Sequence, residues 1–530
     1  MAAVAWKRRV WSKFFQSRDS SYRTKCWLET PVSLESMTPC TLTSPMDTHC
    51  SVPSINQVKM HVEEIPGPRN ALCILGYRLL LLASHARAIG AKMGSFELLE
   101  RLIVIEIMNP KQNASKSSQK EGRLFPYYAG YSEQFAESII DKLSLPSDSL
   151  ILDPWNGSGT TSVASYKKGY RTVGIDLNPV MVLVAKASFV SKLDIPSLLP
   201  IAHSLVKSVP KALSKKGYLD PLEKWFDPQS ALYIRSIESK INKLLVADSA
   251  YLNLTIRENN SSVSPIAAFF YVVLFRLARR LVKDLVGTNP TWLKVPKDAG
   301  SRKTIELSTV KFLFLHEVSL LCEQDRFFSS PDASRVIVKM GDATNLEFES
   351  NSFDAIITSP PYCTRIDYAV ATSLELALLR MTVDDYKVLR RSLVGTSTVD
   401  PSVPVPELGW GAECISFLDK VRNHTSYASK TYYYKSHVQY YSALYKSIGE
   451  ASRVCKSGAD IVFVVQNSYY KEVLNDLALI VEEMGAYFNL ETRQRCDFSN
   501  NRSMSDINTN SKKYSKARRT EESVLIFKKL

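Results

Sequence analysis

The stretch from Ser149 to Asp176 constrains this chain more than any other. Ser149-Leu-Ile-Leu-Asp153 is a short apolar run of strand type, followed at once by Pro154-Trp-Asn-Gly157-Ser-Gly159-Thr-Thr161. A helix-forming segment, Ser162 to Lys168, comes next and is stopped by Gly169. Arg171-Thr-Val-Gly-Ile-Asp176 is a second strand ending in an acid, and Asn178-Pro179 opens another helix. Strand, glycine loop, helix, strand and acid form the layout of a nucleotide-cofactor crossover in an α/β sheet. The glycines let the backbone approach a ligand closely, and the acid can accept both hydroxyls of a ribose.

A dinucleotide fingerprint wants a third glycine, where this chain has Ser162. Asp153 also lies inside the turn and would repel a diphosphate. An acid at that place suits a positively charged ligand, such as the amino group of S-adenosylmethionine. Taken alone, the loop is equally an ordinary tight βα turn.

Composition narrows the class. The chain has 530 residues, 45% hydrophobic and 23% charged, which is globular usage and suggests two to four domains. Sixty-seven Lys plus Arg against 53 Asp plus Glu leave +14, favouring a polyanionic partner, nucleic acid before membrane. The nine cysteines form no CxxC pair, which points to a reducing, cytoplasmic compartment without a zinc ribbon or other metal. The longest apolar stretch, Ala71 to Ala83, is broken by Arg78 and falls short of the ~20 residues that span a bilayer.

A second constellation lies far downstream. Arg335 to Met340 is strand-like and closed by Gly341-Asp342-Ala343; Phe353 to Thr358 is another strand, leading into Ser359-Pro360-Pro361-Tyr362. Adjacent prolines after a buried strand fix a rigid, extended turn that offers carbonyls without competing N–H groups. Ser359 adds a hydroxyl acceptor and Tyr362 a flat ring. Such a turn can grip a planar aromatic amine.

With both loops in hand, the chain resembles the amino-methyltransferases of DNA, which methylate N4 of cytosine or N6 of adenine. Asp153-Pro-Trp-Asn-Gly157-Ser-Gly159 resembles their cofactor loop, and Ser359-Pro-Pro-Tyr362 their catalytic loop. Phe125-Pro-Tyr127-Tyr-Ala-Gly130-Tyr-Ser132 resembles the block packed on the cofactor's methionine end, and Gly341-Asp342-Ala343 the adenine-side acid loop. The resemblance covers roughly residues 123 to 190 and 335 to 530. It implies a seven-stranded, mostly parallel, Rossmann-like methyltransferase sheet. It implies S-adenosylmethionine on Phe125, Tyr127, Asp153, Gly157, Ser158, Gly159, Thr160, Asp176 and Asp342. Asp153, Asp176 and Asp342 would hold its amino group, ribose and adenine respectively. Ser359, Pro360, Pro361 and Tyr362 would be catalytic, on a base flipped out of double-stranded DNA. The serine form of the loop leans towards N4 of cytosine over N6 of adenine. An RNA amino-methyltransferase and a catalytically silent DNA-binding protein are the rivals, and a restriction-modification setting with a partner endonuclease is the wider expectation.

The organisation follows. Residues 1–122 form a poorly defined N-terminal extension, and 1–107 are expected to be dispensable for methylation. Residues 123–194 are the cofactor half and 335–530 the catalytic half. Residues 195–334 are an inserted helical target-recognition region, with helical spacing in 201–209, 231–245 and 264–286. Arg276, Arg279, Arg280 and Lys283 on the last of these are expected to contact DNA phosphates. Lys512 to Arg519 interleaves cations with Tyr514 and reads as a second phosphate-binding stretch.

Overall fold

A computed structural model describes residues 106–111, 124–125, 130–207, 209, 220–246, 251–287, 292–329, 331–363, 366–500 and 520–530. Seven strands form one sheet: β1 Leu150–Asp153, β2 Arg171–Asp176, β3 Val336–Met340, β4 Phe353–Thr358, β5 Cys455–Gln466, β8 Leu490–Asn500 and β9 Thr520–Lys529. A separate hairpin pairs β6 Ser468–Tyr470 with β7 Val473–Asn475. The sheet order is β3-β2-β1-β4-β5-β9-β8. The pairs from β3 to β5 are parallel, whereas β9 runs antiparallel to both of its neighbours. This is the expected seven-stranded, doubly wound α/β sheet. β1 lies between β2 and β4, so the chain reverses direction across the sheet there. The crevice beyond the carboxyl ends of these strands is where open α/β sheets take ligands.

Each strand of the centre is apolar on both faces because helices cover both. One face packs on the helix Glu133–Leu143, through Phe135, Ile139 and Ile140. Ser132 caps that helix, its side chain accepting from Phe135 N at 3.2 Å. The other face packs on Ala412–Asn423, Tyr434–Val454 and Leu477–Tyr487.

The region 195–334 is helical, with bounds that differ from the expected ones. Its long helices are Ile195–Lys207, Pro228–Leu245 and Pro265–Leu281, and Leu307–Cys322 adds one that periodicity did not single out. Their apolar faces share one core with Pro179–Ala187, the helix after β2. Among the described residues no helix is long and apolar enough to cross a membrane.

The basic helix has a structural role as well. Pro265–Leu281 is a central helix, with every residue from Ala267 to Phe275 buried. Arg276 Nε meets Glu317 at 2.7 Å, Arg280 meets the same carboxylate at 2.8 Å, and Arg279 Nη2 donates to Glu375 at 3.0 Å. Glu317 and Glu375 are at most 1% exposed. A buried carboxylate needs a cation beside it, and these arginines meet that need, a structural role that the expected phosphate face did not include. Arg280 and Lys283 are both exposed, and Lys283 has no such carboxylate partner among the described residues. Residues 512–519, and nearly all of 1–107, lie outside the described residues.

Candidate active site

The two loops singled out in the sequence open into one cleft. It encloses about 1260 Å³, the open solvent at its mouth included, and lies at the carboxyl edge of β1, β2 and β4. Phe125, Asp153, Gly157, Ser158, Thr160, Asp176 and Asp342 line it from the cofactor side, and Ser359, Pro360, Pro361 and Tyr362 from the other. Gly159 lies just behind the wall as the cap of the helix Thr160–Lys167. Tyr127 lies outside the described residues.

The glycine loop has its shape for steric reasons. Gly157 and Gly159 have φ of 49° and 89°, in the left-handed region. A Cβ on Gly159 would lie 2.9 Å from Ala185 Cβ. Gly174, which sequence reasoning passed over as a strand residue, is equally necessary, because a Cβ there would lie 2.4 Å from the Asn156 side chain. Asn156 is thereby pressed against β2, where it accepts from Ser162 Oγ at 2.7 Å. Ser162 therefore serves the loop at the place a dinucleotide site gives to glycine.

The acids are arranged around this loop. Asp176 takes the Gly157 N–H at 3.0 Å and the Asn178 N–H at 2.8 Å, which ties the loop to the end of β2. Asp153 accepts from Thr358 Oγ1 at 2.6 Å, from Trp155 N at 3.0 Å and from Thr161, so it joins β1, β4 and the helix after the loop. Asp342 closes its own turn on Thr344 N at 2.8 Å. Burial pushes the carboxyls of Asp153 and Asp176 up to about 6, against the lowering effect of their hydrogen bonds.

This donor set fits one class of ligand. Three carboxylates and aromatic walls, including Phe125, Tyr131 and Trp155, enclose the space, and the cations beside it among the described residues, Arg279 and Lys111, are already held by Glu375 and Glu522. A diphosphate finds no uncommitted counter-charge among the described residues here. A ligand carrying positive charge and ribose hydroxyls does, which is the chemistry of S-adenosylmethionine.

A consequence for pH follows. Asp153 and Asp176 have higher values folded than the ordinary carboxyl 3.8. Their proton uptake therefore favours the empty fold at low pH, and that contribution is lost as pH rises through about 6. A cationic ligand wants both ionised. Affinity for S-adenosylmethionine is expected to rise between pH 5 and 7, by up to roughly tenfold per pH unit for each proton released. Calorimetry in buffers of different ionisation heat measures this; pH-independent binding without proton release would refute it.

The Ser359–Tyr362 turn is held from behind. Tyr440, on the helix Tyr434–Val454, donates its hydroxyl to Pro361 O at 3.0 Å. Gly395, at φ +81°, is packed so that a Cβ would fall 2.6 Å from Tyr362 O. Neither contact is legible in the sequence, since both partners are distant along the chain. Thr358 couples the turn to Asp153 and so to the cofactor loop.

Comparison with known proteins agrees with this reading. A family described as DNA methylase matches residues 6–187. The match starts upstream of Arg123, where the motif resemblance begins, so the stretch expected to be dispensable carries family-like sequence. The type II methyltransferase M.BsoBI of Geobacillus stearothermophilus is 25% identical over 400 residues, covering 65% of this chain and 73% of the relative. M.AvaI, a type II methyltransferase of Nostoc, is 25% identical over 449 residues, covering 76% and 84%. Among solved structures, a SAM-dependent methyltransferase of Methanosarcina mazei aligns at a TM-score of 0.25 and 12% identity, over 74% of this chain and 97% of the other; the fold assignment rests on strand order instead. By its sequence and its strand order, this chain is similar to the DNA amino-methyltransferases, and S-adenosylmethionine is its cofactor.

Proposed function

We propose that the chain methylates the exocyclic amine of a base flipped out of double-stranded DNA, N4 of cytosine in preference to N6 of adenine. The observation that carries this reading is the position of Ser359-Pro-Pro-Tyr362 on the wall of the cleft that holds Asp153 and Asp176. S-adenosylmethionine, when bound, supplies an electrophilic methyl group. The residues of the chain do the rest. Ser359 Oγ and the Pro360 carbonyl accept the two N–H bonds of the amine, which favours a pyramidal nitrogen with a localised lone pair. The Tyr362 ring stacks on the base, and holding both groups in line supplies much of the rate. A covalent route at C5 of cytosine needs an accessible cysteine thiolate, and Cys363, beside the loop, is only 3% exposed.

DNA contacts are better sought on exposed aromatic and cationic residues than on the ion-paired helix. Trp292, 51% exposed, stands near Lys294 and Lys297 in the inserted region. Tyr427 and Lys430 are exposed beside the helix that supports the catalytic turn. The region 195–334 would then read its target through such edges. The names of the relatives, type II methyltransferases, favour a restriction-modification setting with a cognate endonuclease.

Mass spectrometry of nucleosides from DNA of a host expressing the protein tests the reading. N4-methylcytosine is the expected product. N6-methyladenine would keep the mechanism and change the base. C5-methylcytosine alone, or methylation confined to RNA, would overturn it.

A further inference from the structure

Lys111 lies in a stretch that reads as a polar connector, Asn109 to Glu121. Its ammonium is nevertheless placed among three groups from separate parts of the fold. It donates to the Tyr362 hydroxyl at 3.1 Å and to the Gly130 carbonyl, and it pairs with Glu522 at 3.3 Å. It also stands 5.8 Å from the centre of the Tyr362 ring. Gly130 and Tyr362 both line the cleft, while Glu522 belongs to β9 and is 1% exposed. The backbone that carries Lys111 is fixed as well. Lys111 N donates to Asn109 Oδ1 at 2.9 Å, Ser132 N donates to Pro110 O at 2.9 Å, and Ile107 and Met108 pack on the core of the sheet.

We propose that Lys111 is a positioning residue: by holding the Tyr362 hydroxyl between the cofactor wall and β9, it fixes the plane on which the target base stacks. The proposal rests on the reading that Tyr362 stacks on that base. A tyrosine on a loop turns freely about its side-chain bonds. A donor at its hydroxyl and a cation near its ring remove most of that freedom before DNA arrives, so less ordering is left for the binding step. Glu522 keeps the ammonium from swinging out to solvent, and the bond to Gly130 sets the ring relative to the cofactor wall.

Full-length Lys111→Met, Tyr362→Phe and the double variant test this, with turnover, KM for DNA, affinity for S-adenosylmethionine and thermal stability as readouts. Lys111→Met is expected to lower kcat/KM for DNA by about tenfold, the scale of a slightly misplaced group, with cofactor affinity unchanged. Tyr362→Phe keeps the ring and removes only the hydroxyl. If Lys111 acts through that hydroxyl, the double variant is no worse than the worse single one. Lys111→Arg should restore most of the loss. Full activity of Lys111→Met, additive losses in the double variant, or a parallel fall in cofactor affinity would each overturn the proposal. Should Lys111→Met fail to fold, Tyr362→Phe with wild-type kcat/KM overturns it instead. A wild-type protein that methylates no nucleic acid defeats the functional reading itself, a result separate from any of these.

Discussion

Glu375→Ala is expected to destabilise the protein by about 3–5 kcal/mol, the cost of leaving a buried cation unpaired. Glu375 is fully buried, and Arg279 meets it through both Nε and Nη2 while also donating to Ala371 O. Arg279 lies over the Phe125 ring as well, its guanidinium 5.2 Å from the ring centre, so the pair supports the cofactor wall from behind. Removing the carboxylate takes the two-point counter-charge away from a guanidinium that has little water around it. The double replacement Glu375→Leu with Arg279→Met should recover most of the loss, because it removes both desolvated charges together. Urea unfolding measures both. A loss under about 1 kcal/mol for Glu375→Ala would show a solvent-screened pair, and would reopen the possibility that Arg279 is free to turn towards DNA.

That pair also shows where sequence reading reached its limit. Four cations within eight residues look like a phosphate-binding face when only neighbours in sequence are visible. The partners of the arginines, Glu317 and Glu375, lie 41 and 96 residues away from Arg276 and Arg279. The burial of both carboxylates follows from tertiary packing that no local pattern announces. The same holds for Lys111, 251 residues from Tyr362 in sequence and on a segment whose composition suggests only a connector.

What was legible had a local cause. β1, β2, β4, β5 and β9 contain continuous apolar runs because both of their faces are covered. The turns that end β1 and β4 carry glycine or proline because their backbones demand it, and these turns hold most of the candidate site. β8 went unread for the opposite reason. Leu490-Glu-Thr-Arg-Gln-Arg-Cys-Asp is an edge strand, polar along its length, that borrows its order from β9. The necessity of Gly174 and Gly395 was hidden too: Gly174 is forced by its contact with Asn156, and Gly395 by its contact with Tyr362 together with its left-handed φ.

The larger effect on activity is expected from Ser359→Ala, with turnover falling by about a hundredfold or more, the scale of losing one preorganised polar group at the reacting centre. Ser359 follows β4 directly, and its place is fixed on both sides. Thr358 is bonded to Asp153 before it, and Pro360 and Pro361 stiffen the chain after it, with Tyr440 bonded to the Pro361 carbonyl. Alanine fits that backbone without strain, so the fold and the cofactor wall should remain intact. The hydroxyl is proposed to accept from the amine chiefly as its nitrogen becomes pyramidal. Its loss should therefore appear in kcat, leaving affinity for S-adenosylmethionine within about twofold, as for an interaction made in the transition state. Single-turnover methylation together with calorimetry separates the two quantities. A parallel fall in both would place Ser359 in the cofactor site. An unchanged rate would return the serine to the role of a turn residue and leave the Pro360 carbonyl as the acceptor.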